Sequence, residues 1–549
     1  MAKKWDREVD YLVVGTGAAG LTAAITAARS GLKTLVIEST DKWGGTTAIS
    51  GGGLWLPNNP LQQRDGAADS YKEAMTYLDE TIGEVGLWTS KARKQAFLQA
   101  VDPFVMMLEH EGVRFSRAKE YPDYYPDLPG GKIGRCLEVK PFDVRPLGEW
   151  RKTMRYNFPL PVMTDDFWLL SRAWSSCDGF VRGAKVVFRS VGSLIVGKRS
   201  YGMGAALAGS LMNIVLRQNT PVWLNTELAE IVVENGEVVG AVINKNGKLR
   251  RIKTNNGVMI AAGGFAGNKA WRKKYHGIDG YTSAPDGQLG QGINAGKKAG
   301  GALGMMDHAW WGATTAKLAS ASDSPHGFIL NERSDPWSIV IDQQGNRYLN
   351  ESESYVDFGR HMFERHKTVP AIPSWLVMDH RHTTHFLNTT LMMPGAKQQL
   401  RQQGEYVTAN NLDELAEKMN VDEKTFAKTI QRFNGFARTG VDKDFGRGKT
   451  AYDRYYSSPS AKPNPNLGAI EKGPFAALKL YPGDLGTSGG LVTNEHAQVV
   501  GEKGAVIPGL YAAGNSTATV MGYTYPGPGS TISAAAIFGY IGALHAVTK

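Results

Sequence analysis

The sequence predicts an α/β fold: a discontinuous Rossmann-type dinucleotide-binding domain carrying an inserted α+β domain for substrate and catalysis. Three observations predict it. An apolar run at 9–14 enters the glycine-rich turn Gly15-Thr-Gly17-Ala18-Ala19-Gly20 and an alanine-rich stretch at 18–29. At the other end of the chain, Gly509-Leu-Tyr-Ala-Ala-Gly514-Asn515 is again a buried-strand pattern ending in glycine, and it leads into Tyr523-Thr-Tyr525-Pro-Gly-Pro-Gly529-Ser530-Thr531. Between them, residues 281–480 show no nucleotide-binding piece. The expected organisation is therefore 1–280 with an insertion at about 85–205, a substrate domain at 281–480, and a return to the first domain at 481–549.

Each element of the first unit has a physical reason. Gly15 permits the tight turn, Gly17 lets a pyrophosphate approach the backbone, and Gly20 lets helix and strand pack closely. The helix start at Ala18 and Ala19 offers free N–H groups and the positive end of the helix dipole. The stretch 34–38 reads as a second buried strand whose terminal acid, Glu38, stands with Ser39 where a ribose hydroxyl is bound.

The next segment favours FAD over NAD. Trp43-Gly-Gly45-Thr46-Thr47-Ala-Ile-Ser50-Gly51-Gly52 sets hydroxyls and bare backbone just after the ribose strand, where the second half of a dinucleotide runs. A meander follows at 221–243 and contains Leu228. The run 257–264 then reads as a buried strand ending at Ala262 and Gly263. Both edge an adenine site. At the far end, Gly514 and Asn515 close on the flavin ring. The helix start Ser530-Thr531-Ile532 turns N–H groups towards flavin N1 and O2, stabilising the reduced ring.

Composition narrows the class. A chain of 549 residues exceeds a single core, and 42% hydrophobic content can fill more than one. No apolar run stands out as a membrane span and no apolar leader segment is visible at the start. The two cysteines, Cys136 and Cys177, give no disulfide framework and no metal spacing, so a cytoplasmic protein without a metal is expected. The net charge of +10 is scattered among acids without a basic helix or stacking module, which argues against nucleic acid. Residues 181–199 mix apolar groups and cations without acids. They read first as a buried helix pair with solvated ends, and second as a peripheral contact with an anionic membrane surface. Ser457 to Gly473, rich in Ser, Pro and Lys, reads as a linker between domains.

The Gly-Gly-Thr-Thr segment, Gln344-Gly-Asn-Arg347-Tyr-Leu-Asn-Glu351 and the C-terminal closure together resemble the fumarate reductase and ketosteroid dehydrogenase superfamily over nearly the whole chain. In fumarate reductases an arginine four residues after the Glu of Gly-x-Arg-x-x-x-Glu donates a proton, and another at the closing turn clamps a carboxylate. Here these places hold Tyr355 and the Tyr523-Thr-Tyr525 turn. Without its arginines the pocket loses the paired, charge-assisted bonds a small diacid requires.

The same places resemble the 3-ketosteroid Δ1-dehydrogenase family. That resemblance implies that Tyr525 and Gly529 hold the steroid C3 carbonyl as an oxyanion hole. It implies that Tyr355 is the base on C2, and that Tyr124, or else Tyr125, from Pro122-Asp-Tyr-Tyr-Pro assists it. A hydride would then leave C1 for flavin N5, giving a 1-ene-3-ketone. Trp310, Trp311, Phe115 and Phe358 are candidates for an apolar steroid wall. The resemblance leaves the C17 substituent open, implies non-covalent FAD, and calls for an external electron acceptor such as a quinone. The alternatives are a Δ4-(5α)-dehydrogenase, a fumarate-reductase-like flavoprotein and a non-catalytic flavin or steroid carrier.

Overall fold

The computed structural model describes residues 4–548 apart from 157–158, 175, 279, 319–322, 324–325 and 389, and it leaves the side chains of 167–168 undescribed. Its first sheet is built as the alternating pattern requires. Strand Arg7–Val14 is buried on both faces along its C-terminal half and pairs in parallel with Thr34–Ile37 on one side and Lys248–Ile260 on the other. Lys248–Ile260 in turn pairs in parallel with Val506–Ala512, so the two ends of the chain meet across one sheet. Val222–Trp223 extends the Thr34–Ile37 edge, and the antiparallel hairpin Thr226–Glu234 with Glu237–Lys245 hangs from the long strand.

Two helices cover one face of this sheet. Ala18–Arg29 and the C-terminal Ser530–Val547 lie against each other, and a Cβ on Gly539 would come within 2.3 Å of the Ala19 carbonyl oxygen. Only glycine allows that approach. Ser530–Val547 has no charged residue over 18 positions and is long and apolar enough to cross a membrane, which corrects the expectation that no such run exists. Its inner face is packed in the core instead, against the first helix.

The second sheet has six strands. Ala309–Lys317, Phe475–Thr487, Ser374–Met378 and Ser338–Ile341 follow one another across it, with His326–Ile329 at one edge and Tyr406–Ala409 paired to Phe475–Thr487. The position 480, where the chain was expected to change domain, falls inside Phe475–Thr487.

Two segments differ from their sequence readings. Residues 457–473 are a packed loop and not a linker: Leu467 and Ile470 sit in the core of the second sheet, and buried Asn466 donates to the Asp453 and Ser334 carbonyls. Residues 181–199 form no buried helix pair. They belong largely to one helix, Cys177–Ile195, on which Phe188 is 78% and Ile195 79% exposed.

Candidate active site

One continuous cavity runs between the two sheets. Its first half is bare backbone and hydroxyls: Gly15, Gly17, Ala18 and Ala19 from the turn, Glu38 and Ser39 from the second strand, and Gly45, Thr46, Thr47, Ser50, Gly51 and Gly52 from the following segment. Leu228, Ala262 and Gly263 close one side, and Gly514, Asn515, Thr531 and Ile532 close the other. The local hydrogen bonds explain the arrangement. Thr47 Oγ1 accepts from the Ala18 N–H at 2.9 Å, so the short helix Gly45–Ile49 is tied to the start of the first helix. Thr16 Oγ1 donates to Glu38 at 2.5 Å and accepts from the Gly44 N–H, which fixes Glu38 against the turn.

Two expected residues lie off the wall. Gly20 sits behind it, where a Cβ would stand 2.0 Å from the Gly15 carbonyl oxygen, so its part is helix–strand packing. Ser530 is a correction. Its hydroxyl and N–H both bond the Gly527 carbonyl and its side chain is fully buried, so it shapes the turn and has no N–H to offer the cavity. The sequence reading also missed wall residues. Arg155 reaches Thr40 at 3.2 Å from the inserted segment, and Gln288 donates to Thr46 at 2.5 Å. Neither carries a local signal, because each is brought in by tertiary folding alone.

The second half of the cavity is phenolic. Tyr355, Tyr525 and Tyr124 form a triangle: ring centroids are 4.9 Å apart for Tyr355 and Tyr525, 5.5 Å for Tyr124 and Tyr355, and 5.2 Å for Tyr124 and Tyr525. Tyr124 lines the cavity, whereas Tyr125 does not. Tyr355 opens the helix Tyr355–His366, and the preceding motif anchors that opening. Arg347 makes two 2.7 Å bonds to Glu351, a third to Asp442, and Arg447 stands 3.2 Å from Glu351, all buried. The Gly-x-Arg-x-x-x-Glu run is thus a buried ion network under Tyr355. Phe328, which the sequence reading did not single out, flanks Tyr355 edge-on at 5.4 Å.

Gly529 has φ +89, and a Cβ there would come within 2.0 Å of the Gly53 carbonyl oxygen, so only glycine can turn its N–H into the cavity. The Tyr525 hydroxyl lies against Tyr355 and the N–H groups of Thr531 and Gly529. Burial pushes Tyr525 up to about 12, partly offset by those neighbours. Burial, and then the adjoining phenols, hold Tyr355 and Tyr124 well above the usual phenol range. The site therefore keeps its phenols protonated, as donors, until a substrate changes the balance.

The apolar wall differs from expectation. Trp310, Trp311, Phe115 and Phe358 do not line the cavity; Leu318, Phe328, Leu330, Met393 and Leu485 do. Trp310 stands behind Tyr525, edge-on at 5.4 Å, with its N–H on Asn515. Trp311 packs on Phe363, Phe358 lies under Arg333, and Phe115 belongs to a small separate sheet. Among the described residues the only Arg or Lys on the wall is Arg155, beside Thr40. Among the described residues the phenolic end carries no Arg or Lys to clamp a carboxylate.

A family model described as an FAD binding domain matches residues 10–532. The 3-oxosteroid 1-dehydrogenase of Mycolicibacterium smegmatis is 40% identical over 98% of this chain and 97% of its own. The chain belongs to the 3-oxosteroid 1-dehydrogenase family. Another family member, from Mycobacterium tuberculosis, matches equally at 40% over 98% of both chains. The crystal structure of the 3-ketosteroid Δ1-dehydrogenase of Sterolibacterium denitrificans in complex with 1,4-androstadiene-3,17-dione superimposes with a TM-score of 0.90 at 31% identity, covering 99% of this chain and all of that one. The cofactor of the family fold is FAD, and the residues present fit it. The glycines of the first half leave backbone open where side chains would fill the groove, and a helix N-terminus faces it.

Proposed function

We propose that this chain catalyses FAD-dependent 1,2-dehydrogenation of 3-ketosteroids. The observation that carries the reading is that the Tyr525 hydroxyl and the Gly529 N–H meet at one point of the cavity wall, with Tyr355 in ring contact beside them. A ketone oxygen at that point accepts from the Tyr525 hydroxyl and the Gly529 N–H. Both donors strengthen their bonds as negative charge grows on the oxygen, so they favour the enolate over the ketone. Polarising C3=O acidifies the hydrogens on C2, and Tyr355 takes one of them. Tyr124 supports Tyr355 by sharing phenolate character, which an isolated buried phenol could not carry. When bound, FAD supplies the acceptor for the hydride that leaves C1. The apolar wall of Leu318, Phe328 and Met393 suits a fused-ring hydrocarbon and keeps water from the enolate.

Dye-linked turnover of 4-androstene-3,17-dione tests this. The reading expects a product lighter by two hydrogens with new vinylic protons at C1 and C2; return of unchanged steroid would sink it.

We propose further that FAD is held without a covalent bond, so acid denaturation should release all of the yellow colour into the filtrate. We propose that electrons leave to a quinone-type acceptor and that the protein is cytoplasmic and touches the membrane through Cys177–Ile195. That helix exposes Phe180, Val187, Phe188 and Ile195 beside Lys185, and Lys198 and Arg199 follow it. Co-sedimentation with anionic vesicles that is lost in Phe188→Asp supports the contact; equal sedimentation of both proteins would contradict it.

A further inference from the structure

The Δ1 reading, on which this inference rests, needs Tyr124 and Tyr525 held beside Tyr355, yet the two come from segments far apart in the chain. Tyr124 lies in a loop between Phe115–Arg117 and Cys136–Val139, and Tyr525 in the closing turn before Ser530–Val547. One carbonyl joins these segments. The Pro526 carbonyl, next to Tyr525, accepts from the Tyr124 N–H at 2.9 Å and from the Tyr77 hydroxyl at 2.6 Å. The Tyr77 hydroxyl in turn accepts from the Tyr125 N–H at 3.2 Å. Its proton thus goes to the turn and a lone pair to the loop, and both are tied to the helix Tyr71–Ile82.

The surroundings of Tyr77 hold that hydroxyl in place. The side chain is fully buried, its ring tilts against Trp55 at 5.9 Å, and the Arg135 guanidinium stands 5.4 Å from the ring centre. Burial, and then the field of Asp123, keep the hydroxyl well above the usual phenol range, so it stays protonated and remains a donor. The loop is fastened around the same rings. Asp123 Oδ1 accepts from the Trp55 indole N–H at 2.7 Å, and Oδ2 accepts from Arg135 at 2.7 Å and the Lys132 N–H at 3.0 Å. A Cβ on Gly130 would stand 2.3 Å from the Glu73 carbonyl oxygen and 3.0 Å from the Tyr77 nitrogen, so the far side of the loop lies on the helix. A Cβ on Gly527 would fall 2.2 Å from the Trp55 ring, so the turn closes on the same aromatic pair. Tyr77 itself does not line the cavity.

We propose that Tyr77 is a positioning residue of the reaction: its hydroxyl sets Tyr124 against Tyr355, and it acts through Tyr124. The closing turn keeps its shape without Tyr77. The Gly527 N–H donates to the Ser530 hydroxyl at 2.9 Å, and that hydroxyl donates to the Gly527 carbonyl at 2.7 Å. The carbonyl site of Tyr525 and Gly529 therefore survives loss of the Tyr77 hydroxyl. The loop does not fare as well. Without that oxygen the Tyr125 N–H loses its acceptor, and the backbone beside Tyr124 must shift to find another. The shift carries the Tyr124 ring away from Tyr355, and a displacement of about 1 Å at a reacting group can cost about 100-fold.

Tyr77→Phe keeps the ring and its packing and removes one oxygen. The test follows single-turnover anaerobic bleaching by 4-androstene-3,17-dione in FAD-loaded wild type, Y77F, Y124F and the double variant. At saturating steroid, Y77F is expected to bleach at least about tenfold more slowly than wild type. The midpoint of its steroid-induced flavin shift should stay at the wild-type value, because Tyr525 and Gly529 are in place. In the Y124F background the same substitution should change the rate by less than about twofold, since the group it acts through is already gone. A purely structural part for Tyr77 would slow both backgrounds by the same factor, and that result overturns the proposal. So does a Y77F rate equal to wild type, or a Y124F protein as fast as wild type. If Y77F does not retain FAD, Trp55→Phe decides in its place, since it removes the N–H on Asp123 and loosens the same loop: a loss confined to the Tyr124 background supports the proposal, an equal loss in both overturns it. A wild type that never bleaches would sink the Δ1 reading itself, so the two failures are distinguishable.

Discussion

Tyr355 and Tyr525 are the same residue type in one buried cluster, and their surroundings assign them different work. Tyr525 faces two backbone N–H groups, whereas Tyr355 is flanked by Tyr124, Tyr525 and Phe328; in the proposed reaction Tyr525 donates and Tyr355 accepts. Tyr355→Phe should therefore nearly abolish flavin reduction while the steroid-induced shift of the flavin spectrum keeps its midpoint. Tyr525→Phe should lower kcat/KM by about 2–4 kcal/mol of transition-state stabilisation and weaken steroid binding as well. Stopped-flow bleaching and spectral titration separate the two outcomes. Glu38→Ala should mainly reduce retained FAD, read as the ratio of flavin to protein absorbance after gel filtration. At this scale the sequence carried most of the site, because each residue sat at a fixed offset from a glycine or an acid. Ser530 failed because a hydroxyl in a tight turn can satisfy its neighbour's carbonyl instead of a ligand. Arg155 and Gln288 were invisible for another reason: their partners, Thr40 and Thr46, are far away in the chain.

The elements show why those offsets work. The run Gly345-Asn-Arg347 to Glu351 is a loop whose buried charges, Arg347, Glu351, Asp442 and Arg447, lock the entry to the helix that begins with Tyr355. Glu351→Gln leaves Arg347 and Arg447 short of a buried counter-charge, a change worth about 3–5 kcal/mol. The expected result is a lowered melting temperature together with loss of activity, without change at the FAD end; a protein as stable as wild type would show that the network does not anchor the helix. Strands with alternating or wholly apolar pattern and glycine-marked turns were readable. The loop 457–473 was not, since Ser, Pro and Lys hide the two apolar anchors, Leu467 and Ile470, that pin it. The helix Cys177–Ile195 was ambiguous because an exposed apolar face and a buried one have the same sequence pattern.

For the whole molecule, the two chain ends meet in one sheet and the strand Phe475–Thr487 carries the chain from the second sheet back towards the first. One cavity between them joins a dinucleotide groove to a phenolic pocket, which is what a reaction passing a hydride from steroid to flavin requires. The most direct test is anaerobic: mix the yellow protein with 4-androstene-3,17-dione, follow the flavin absorbance, and identify the steroid formed. The account predicts bleaching with formation of the 1,4-diene. No bleaching by that steroid, but bleaching by a 5α-saturated 3-ketone to give the 4-ene, would contradict it and remove Tyr355 from its role.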